Sequence, residues 1–370
     1  MVRTEYMPDY VSPPGETLQE VLDSRGMSQV NLAQRTGRSP KHINELIKGK
    51  VALTPDTALQ FERALGIPAS FWSHRENHYQ AYQARLDEQK RLQSCLNWLK
   101  QIPTGAMMKY GWIPRLKDRI EQFREVLNFF AVASPDQWNE MWNERLDAVQ
   151  LRQSNVSTIS KGAIAAWLRK GEIGAHDVDC EPYSAEKLRQ SIVSIRELSR
   201  LHPSEFKSEL QRICAQSGVA VVYTREIPQT GISGATQWLS PKKALLQLSF
   251  RYKRDDQFWF SFFHEVGHIL KHGKNSFFVE LPGIKSKREK EADRFAANML
   301  IPHDDFKRFK EEYTSYSNMH QYPLQPIKAF ADKMQIAPGI VVGRLQHEGI
   351  LLPSHGNGLK QVIDWENEDS

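Results

Sequence analysis

Apolar positions recur at helical spacing along most of this chain and at strand spacing in one short region. Leu18, Val21 and Leu22 share a face of a segment that stops at Gly26, since residues three and four apart line one side of a helix. Ser28 then precedes Gln29-Val30-Asn31-Leu32-Ala33-Gln34-Arg35, and after Gly37 a second start, Ser39-Pro40, opens a run that buries Ile43, Leu46 and Ile47 before Gly49. A serine at the cap accepts an orphan backbone N–H, and proline suits the first helical position, so both starts are marked. Asp56 to Leu65 predicts a further helix, and His74 to Lys100 a connecting one. Residues 115–215 keep the helical period, as in Ile120, Phe123, Val126, Leu127 and Phe130, with Trp138, Trp142 and Trp167 as core positions. Three apolar runs then predict strands, at Val219–Tyr223, Ile232–Leu239 and Ala244–Phe250. Helical patterns return at Phe258–Gly273 and Glu289–Leu300, and again at Phe306–Tyr313, Pro326–Met334 and Gly339–Leu345.

Two short helices joined by a glycine turn, with small Ala33 at the crossing, describe a helix-turn-helix. Its second helix exposes Lys41, His42, Asn44 and Lys48, types suited to base edges and phosphates, and Ser28, Gln29, Arg38 and Ser39 complete the candidate DNA contacts. Charge supports this locally. Arg35, Arg38, Lys41, Lys48 and Lys50 face the single acid Glu45 across residues 35–50, whereas residues 1–85 are nearly balanced. The stretch from Pro14-Gly15-Glu16 through Ser28-Gln29 and Ala33 to Ala58-Leu59, Ala64-Leu65-Gly66 and Phe71-Trp72 is similar to HigA-type antitoxins of the XRE-like regulators, over roughly residues 10–85. That resemblance implies a lambda-repressor-like bundle that binds double-stranded operator DNA as a homodimer. In toxin–antitoxin cases it also implies autoregulation alongside a partner toxin.

The richest chemistry lies in His264-Glu265-Val266-Gly267-His268. Histidines four apart share a helical face and can hold one metal ion, with Glu265 beside them as general base toward a water activated there. Asp255-Asp256 is placed to cap this helix. Downstream, Ala292, Phe295, Ala296, Met299 and Leu300 define a buried face with Glu289 at its edge, while Glu291 points toward solvent. Glu289 is therefore the expected third ligand and Glu291 the alternative. Asp293, one turn past Glu289, is placed to accept the free ring N–H of a ligating histidine. His272 lies on the same face as His264, as a histidine at the negative end of the helix. Three ligands with one open position describe a catalytic Zn2+ site, and the scattered Cys95, Cys180 and Cys214 argue against a structural cysteine site.

Ser233-Gly234-Ala235-Thr236, Ala244-Leu245-Leu246-Gln247-Leu248, Phe262 through Leu270 and Glu289 through Pro302 together resemble the ImmA/IrrE metallopeptidases, over roughly residues 205–302. The resemblance implies a zinc endopeptidase with His264, His268 and Glu289 as ligands and Glu265 as base, often linked to a helix-turn-helix repressor that it cleaves. The strand at Gly234-Ala235 is expected to offer an edge to an extended substrate. Tyr223, Tyr252 and His272 are the candidates for steadying the oxyanion.

The expected fold is thus mostly α with a small α+β domain. A helix-turn-helix domain occupies 1–75, a helical linker, dimerisation or sensor region 76–204, a zincin-like metallopeptidase domain with a small sheet and the HExxH helix 205–355, and a flexible acidic tail 356–370. A formal charge of +5 excludes neither DNA nor protein partners. The polar N-terminus carries no signal peptide, the Phe258–Leu270 run is too short and charged to span a bilayer, and few cysteines fit a reducing cytoplasm. The function expected is a cytoplasmic operator-binding regulator whose peptidase hydrolyses a repressor or the chain itself. The alternative is a HigA-like antitoxin and autorepressor whose catalytically silent metal domain binds a partner protein.

Overall fold

In the computed structural model, residues 11–150, 160–228, 230–273, 278–280, 286–315 and 323–365 are described. They form two compact units, Met1–Cys95 and Leu96–Ser370.

In the first unit, α1 (Pro14–Ser24), α2 (Gln29–Thr36), α3 (Pro40–Ile47), α4 (Pro55–Leu65) and α5 (Ala69–Ser94) follow one another. Ser28, Ser39 and Thr54 each accept the backbone N–H three residues on, from Asn31, His42 and Thr57. Each cap thereby satisfies a donor that the first helical turn leaves orphaned. Gly37 ends α2 at φ 66°, and this left-handed turn redirects the chain into α3. Leu18, Leu22, Leu32, Ala33, Ile43, Leu46, Phe61 and Trp72 close a single core.

In the second unit, α6 (Thr104–Lys109), α7 (Arg119–Phe130), α8 (Pro135–Gln150), α9 (Lys161–His176), α10 (Ala185–Glu197) and α11 (Pro203–Ala215) precede the sheet. Then come β1 (Val219–Tyr223), β2 (Gly234–Ser240), β3 (Lys243–Leu248), α12 (Asp255–Lys271), β4 (Phe278–Glu280), α13 (Lys287–Leu300), α14 (His303–Ser315), α15 (Leu324–Met334) and α16 (Pro338–His347). The sheet order is β1-β3-β2-β4, with β1 parallel to β3 and β2 antiparallel to both β3 and β4. The fold is mostly helical with this small mixed sheet.

Alternation along the strands sorts side chains to two covered faces. Val219, Val221, Ala244, Leu246 and Leu248 enter the large core with Phe258, Phe262 and Val266 of α12. Ala220, Val222 and Leu245 turn the other way, to Ala175 of α9. A sheet covered on both faces needs strands that are apolar on both, which is why these runs read as nearly continuous. Residues 96–204 thus share a unit with the sheet. Gln247 of β3, buried, donates to the Trp167 carbonyl (2.7 Å) and the Thr224 hydroxyl (2.9 Å). Gly171 of α9 leaves room for it, since a Cβ there would lie 2.0 Å from Gln247 Oε1.

Two expectations are corrected here. β2 is not an edge, because β4 pairs with it through Gly234, Ala235 and Thr236. Residues 356–365 of the expected flexible tail are packed: Ile363 is buried, Trp365 lies 4.4 Å from the Phe250 ring, and Lys360 Nζ meets Asp256 Oδ2 at 2.7 Å. Apolar Ile363 and Trp365 outweigh the acidic character that suggested disorder, and residues 366–370 lie outside the described residues. Among the described residues no helix is long and apolar enough to cross a membrane.

Gly171→Ala forces a methyl into the Gln247 carboxamide, so it is expected to destabilise the second unit by about 1–3 kcal/mol. Urea unfolding followed by tryptophan fluorescence checks this, and an unchanged midpoint would disprove the close packing of α9 on β3.

Candidate metal centre

The centre sits where α12 and α13 lie closest. Gly267 lets them approach: a Cβ there would come within 3.1 Å of Phe295 Cδ1 and 3.3 Å of Ala292 Cα. Ala292 and Ala296, both fully buried, complete the small-residue seam. Asp255 and Asp256 do not cap α12 as expected. Arg254 holds the cap position without a side-chain bond, and the two acids lie in the first turn against Gly339 and Gly343 of α16. Burial pushes the Asp255 carboxyl up to about 6.

α12 presents His264 and His268 on one face, and α13 brings Glu289, whose own N–H is capped by Ser286 (3.2 Å). His264 Nε2 lies 3.0 Å from His268 Nε2 and 3.0 Å from Glu289 Oε2, and His268 Nε2 lies 3.4 Å from the same oxygen. All three side chains are buried. The residues fit a metal ion. A tetrahedral zinc with bonds of about 2.0–2.1 Å places its ligand atoms about 3.3–3.4 Å apart, close to this triangle. Two imidazole lone pairs directed at one another repel unless a proton or a cation lies between them. Burial works to raise the Glu289 carboxyl, but hydrogen bonds from His264 and His268 outweigh it and carry it down to about 2. Desolvation holds His268 below the ordinary histidine range.

The other expected site residues fall as follows. Asp293 Oδ1 accepts from His264 Nδ1 at 2.9 Å. Glu265 is 0% exposed, and its Oε2 accepts the Thr236 hydroxyl at 2.5 Å. Gly234 makes room for that carboxylate, because a Cβ there would sit 2.9 Å from Glu265 Oε1. Glu291, the alternative ligand, lies outside the triangle and bonds His272 Nε2 at 3.2 Å. Tyr223 donates its hydroxyl to the Lys207 carbonyl (3.0 Å), His272 lies between His268 and Glu291, and Tyr252 is half exposed beneath Arg251.

Sequence reasoning missed the Thr236–Glu265 bond and the ring of Phe278, which stacks on His268 at 4.0 Å and 16°. Neither had a local signal, since strand partners are set by tertiary pairing.

In the first unit, Lys41, Lys48, Ser28 and Ser39 are exposed, the serines serving as caps. Gln29 donates to Gln19 (3.0 Å) and accepts from Asn44 (3.2 Å), which ties the start of α2 to α3. His42 is half-buried. Arg38 pairs with Asp56 and donates to Gln60 (2.8 Å), so its charge is partly spent on α4.

A family model described as the IrrE N-terminal-like domain (Peptidase_M78) matches residues 214–330, and a helix-turn-helix model matches residues 18–72. The chain is 36% identical over 77 residues to virulence-associated protein I of Dichelobacter nodosus, covering 20% of this chain and 71% of that protein. It is 30% identical over 71 residues to an HTH-type transcriptional regulator, YddM, of Escherichia coli K12, covering 19% of this chain and 76% of that one. A solved HigA-family addiction module antidote protein from Coxiella burnetii is 25% identical, with a TM-score of 0.21, covering 23% of this chain and 92% of its own.

Glu289→Gln removes the anionic donor and is expected to lower zinc affinity by about 100-fold or more, beyond the loss usual for an outer-shell change. Affinity should also fall with acid, because protons compete for the imidazoles while Glu289 stays ionised to about pH 2. With desolvation holding His268 below the ordinary histidine range, any bound zinc is expected to be retained to a lower pH than an ordinary histidine pair would allow. Competition titration with a chromophoric chelator across pH checks both, and release beginning well above pH 7 would refute the second.

Proposed function

From a chain that belongs to the XRE-type helix-turn-helix regulators through residues 18–72 and carries an IrrE N-terminal-like peptidase domain over residues 214–330, we propose an operator-binding regulator whose second unit is a zinc-dependent endopeptidase. Its substrate is a regulatory protein, either a repressor or this chain itself, and cleavage relieves repression. One observation carries the enzymatic part: Glu265, next in the chain to His264 of the His264–His268–Glu289 triangle, is a buried carboxylate held by the Thr236 hydroxyl.

His264, His268 and Glu289 would hold the zinc and Asp293 would fix the His264 ring. When bound, zinc supplies Lewis acidity to a peptide carbonyl and to water. Glu265 takes the proton from the attacking water and delivers it to the leaving amine. The Thr236 hydroxyl orients Glu265 through Oε2, and Gly234 keeps the space beside the carboxylate open. In the first unit, Lys41 and Lys48 serve phosphates, and Gln29 with Asn44, linked at 3.2 Å, serves base edges as one polar surface. Pairing of two copies on a two-fold operator follows from the helix-turn-helix mode of binding.

A second reading is a DNA-binding autorepressor whose metal domain is catalytically silent and holds a protein partner such as a toxin. The burial of Glu265 and of the whole triangle favours it, because a protease must expose its base to substrate.

Glu265→Gln separates the two. It is expected to keep one equivalent of zinc and to lose cleavage of a partner repressor or of the chain by about 10²–10⁴-fold. Intact-mass analysis of wild type and variant reads this, and equal cleavage by both, or by neither, would refute the peptidase. For the first unit, Lys48→Ala is expected to weaken operator binding across sequences and to reduce the slope of log K against log salt by about 1. An unchanged slope by fluorescence anisotropy would remove Lys48 from the contact.

A further inference from the structure

We infer that the groove walled by α12, α13 and α16 binds a small organic anion, a carboxylate or phosphate carried on an apolar body. The groove has a volume of about 500 Å³, and sites for small ligands usually enclose about 300–1,000 Å³. None of His264, Glu265, His268 and Glu289 lines it. It is a site of its own, whether or not the metal centre holds zinc.

Its apolar part comes from all three helices. Phe260 of α12, Ala297 and Leu300 of α13, Ile301 just beyond it and Ile340 of α16 line the groove. Leu300, Ile301 and Ile340 are buried, so this surface lies deep. Lys290, Arg294 and Ala297 follow one stripe of α13, since residues three and four apart share a helical face. The stripe thus changes from cationic to apolar along its length.

The charges around the groove are unequal. Lys290, Arg294 and Arg344 are permanent cations, and Asp256 and Asp293 are the carboxylates that face them. Both carboxylates are already answered. Asp256 Oδ2 lies 2.7 Å from Lys360 Nζ, with both side chains buried, and Asp293 Oδ1 accepts from His264 Nδ1 at 2.9 Å. Arg344 is fixed by Glu348 at 2.9 Å and lies 4.9 Å over the Phe306 ring. Lys290 and Arg294, exposed and one turn apart, are paired with no carboxylate among the described residues. His303 and His347, also exposed, add ring N–H donors.

Two unanswered cations beside a buried apolar wall are complementary to an anionic head on an apolar body. The head group accepts from Lys290 and Arg294, and the body covers Phe260, Ile301 and Ile340. An organic cation meets repulsion at the same place, and a neutral apolar molecule leaves both charges unmatched.

The test uses the full chain treated with a chelator, so that no metal can capture the anion. Anilinonaphthalene sulfonate, an apolar anion that fluoresces when it leaves water, is the probe. Saturable binding is expected, with displacement by octanoate or octyl phosphate and not by octan-1-ol or octylammonium. The stronger of the two anions then names the head group. Arg294→Glu reverses a charge at an exposed position and is expected to weaken the probe by about 10-fold or more. Ala297→Trp fills the apolar part and is expected to remove most of the fluorescence. Circular dichroism checks that each variant is folded.

No saturable binding by wild type, displacement by octan-1-ol or octylammonium as readily as by octanoate, or variants that bind as wild type does would each overturn the inference. Binding that appears only when zinc is restored would also overturn it, because the anion would then sit on the metal. Should Ala297→Trp fail to fold, Arg294→Glu decides by itself. A chain that binds the anion in the groove yet takes up no zinc would leave this site standing and overturn the zinc reading alone.

Discussion

Two imidazole nitrogens and a carboxylate oxygen lie within 3.4 Å of one another in a buried place, and that is costly unless their charges and lone pairs are answered. The surroundings of the triangle can be understood as answers. Gly267, Ala292 and Ala296 strip side chains from the seam so that α13 brings Glu289 to the two histidines. Asp293 and His272 take the outward nitrogens, so that neither ring faces apolar packing with a donor unmet. Behind them, Phe258, Phe262 and Val266 bury the opposite face of α12 in the large core, and the sheet backs that core. The apolar core thus backs the helix that carries the histidines, and α9 covers the far side of the sheet.

What was legible in the chain was what is local. An i, i+4 pair of histidines places both rings on one side of α12 whatever surrounds it, and the period of Ala292, Ala296 and Leu300 fixes which way Glu289 faces on α13. Caps at Ser28 and Ser39 and the turn at Gly37 gave the first unit its helices for the same reason, since each bond closes within three or four residues. What was not legible depends on pairing across distance. β4 is three residues long, too short for any period, and it displaces the expected substrate edge by joining β2. The place of α9 over Ala220, Val222 and Leu245 has no signature on α9 itself, because an apolar stripe names no partner. Ile363 and Trp365 sit in an acidic context and were outvoted by it, although two apolar side chains suffice to dock a short segment.

His272 shows the intermediate case. Its place on the face of His264 was visible, and its nearness to the end of α12 suggested an interaction with the helix dipole. The bonds to His268 and Glu291 are stronger claims on the ring than a diffuse dipole, and they need α13 in place before they exist. The sequence placed Glu291 toward solvent, and its side chain is indeed 34% exposed. Exposure on a helical wheel did not reveal that the remaining part of the carboxylate reaches a neighbouring helix.

A metal that only braced the fold would need His264, His268, Glu289 and the groups that fix the rings. It would not need Glu265. A fully buried carboxylate is a standing cost to stability, commonly of several kcal/mol before compensation. Thr236 supplies a neutral hydroxyl toward that cost, and Gly234 gives up a side chain so that the carboxylate fits. Replacing Glu265 by an apolar residue of similar size would remove the cost without touching any atom of the triangle. A fold selected for stability alone gains nothing from Glu265, Thr236 and Gly234 in this arrangement, whereas proton transfer beside a metal requires a carboxylate held at that place. The same burial that favours a silent domain at first sight therefore weighs, residue by residue, toward a chemical role.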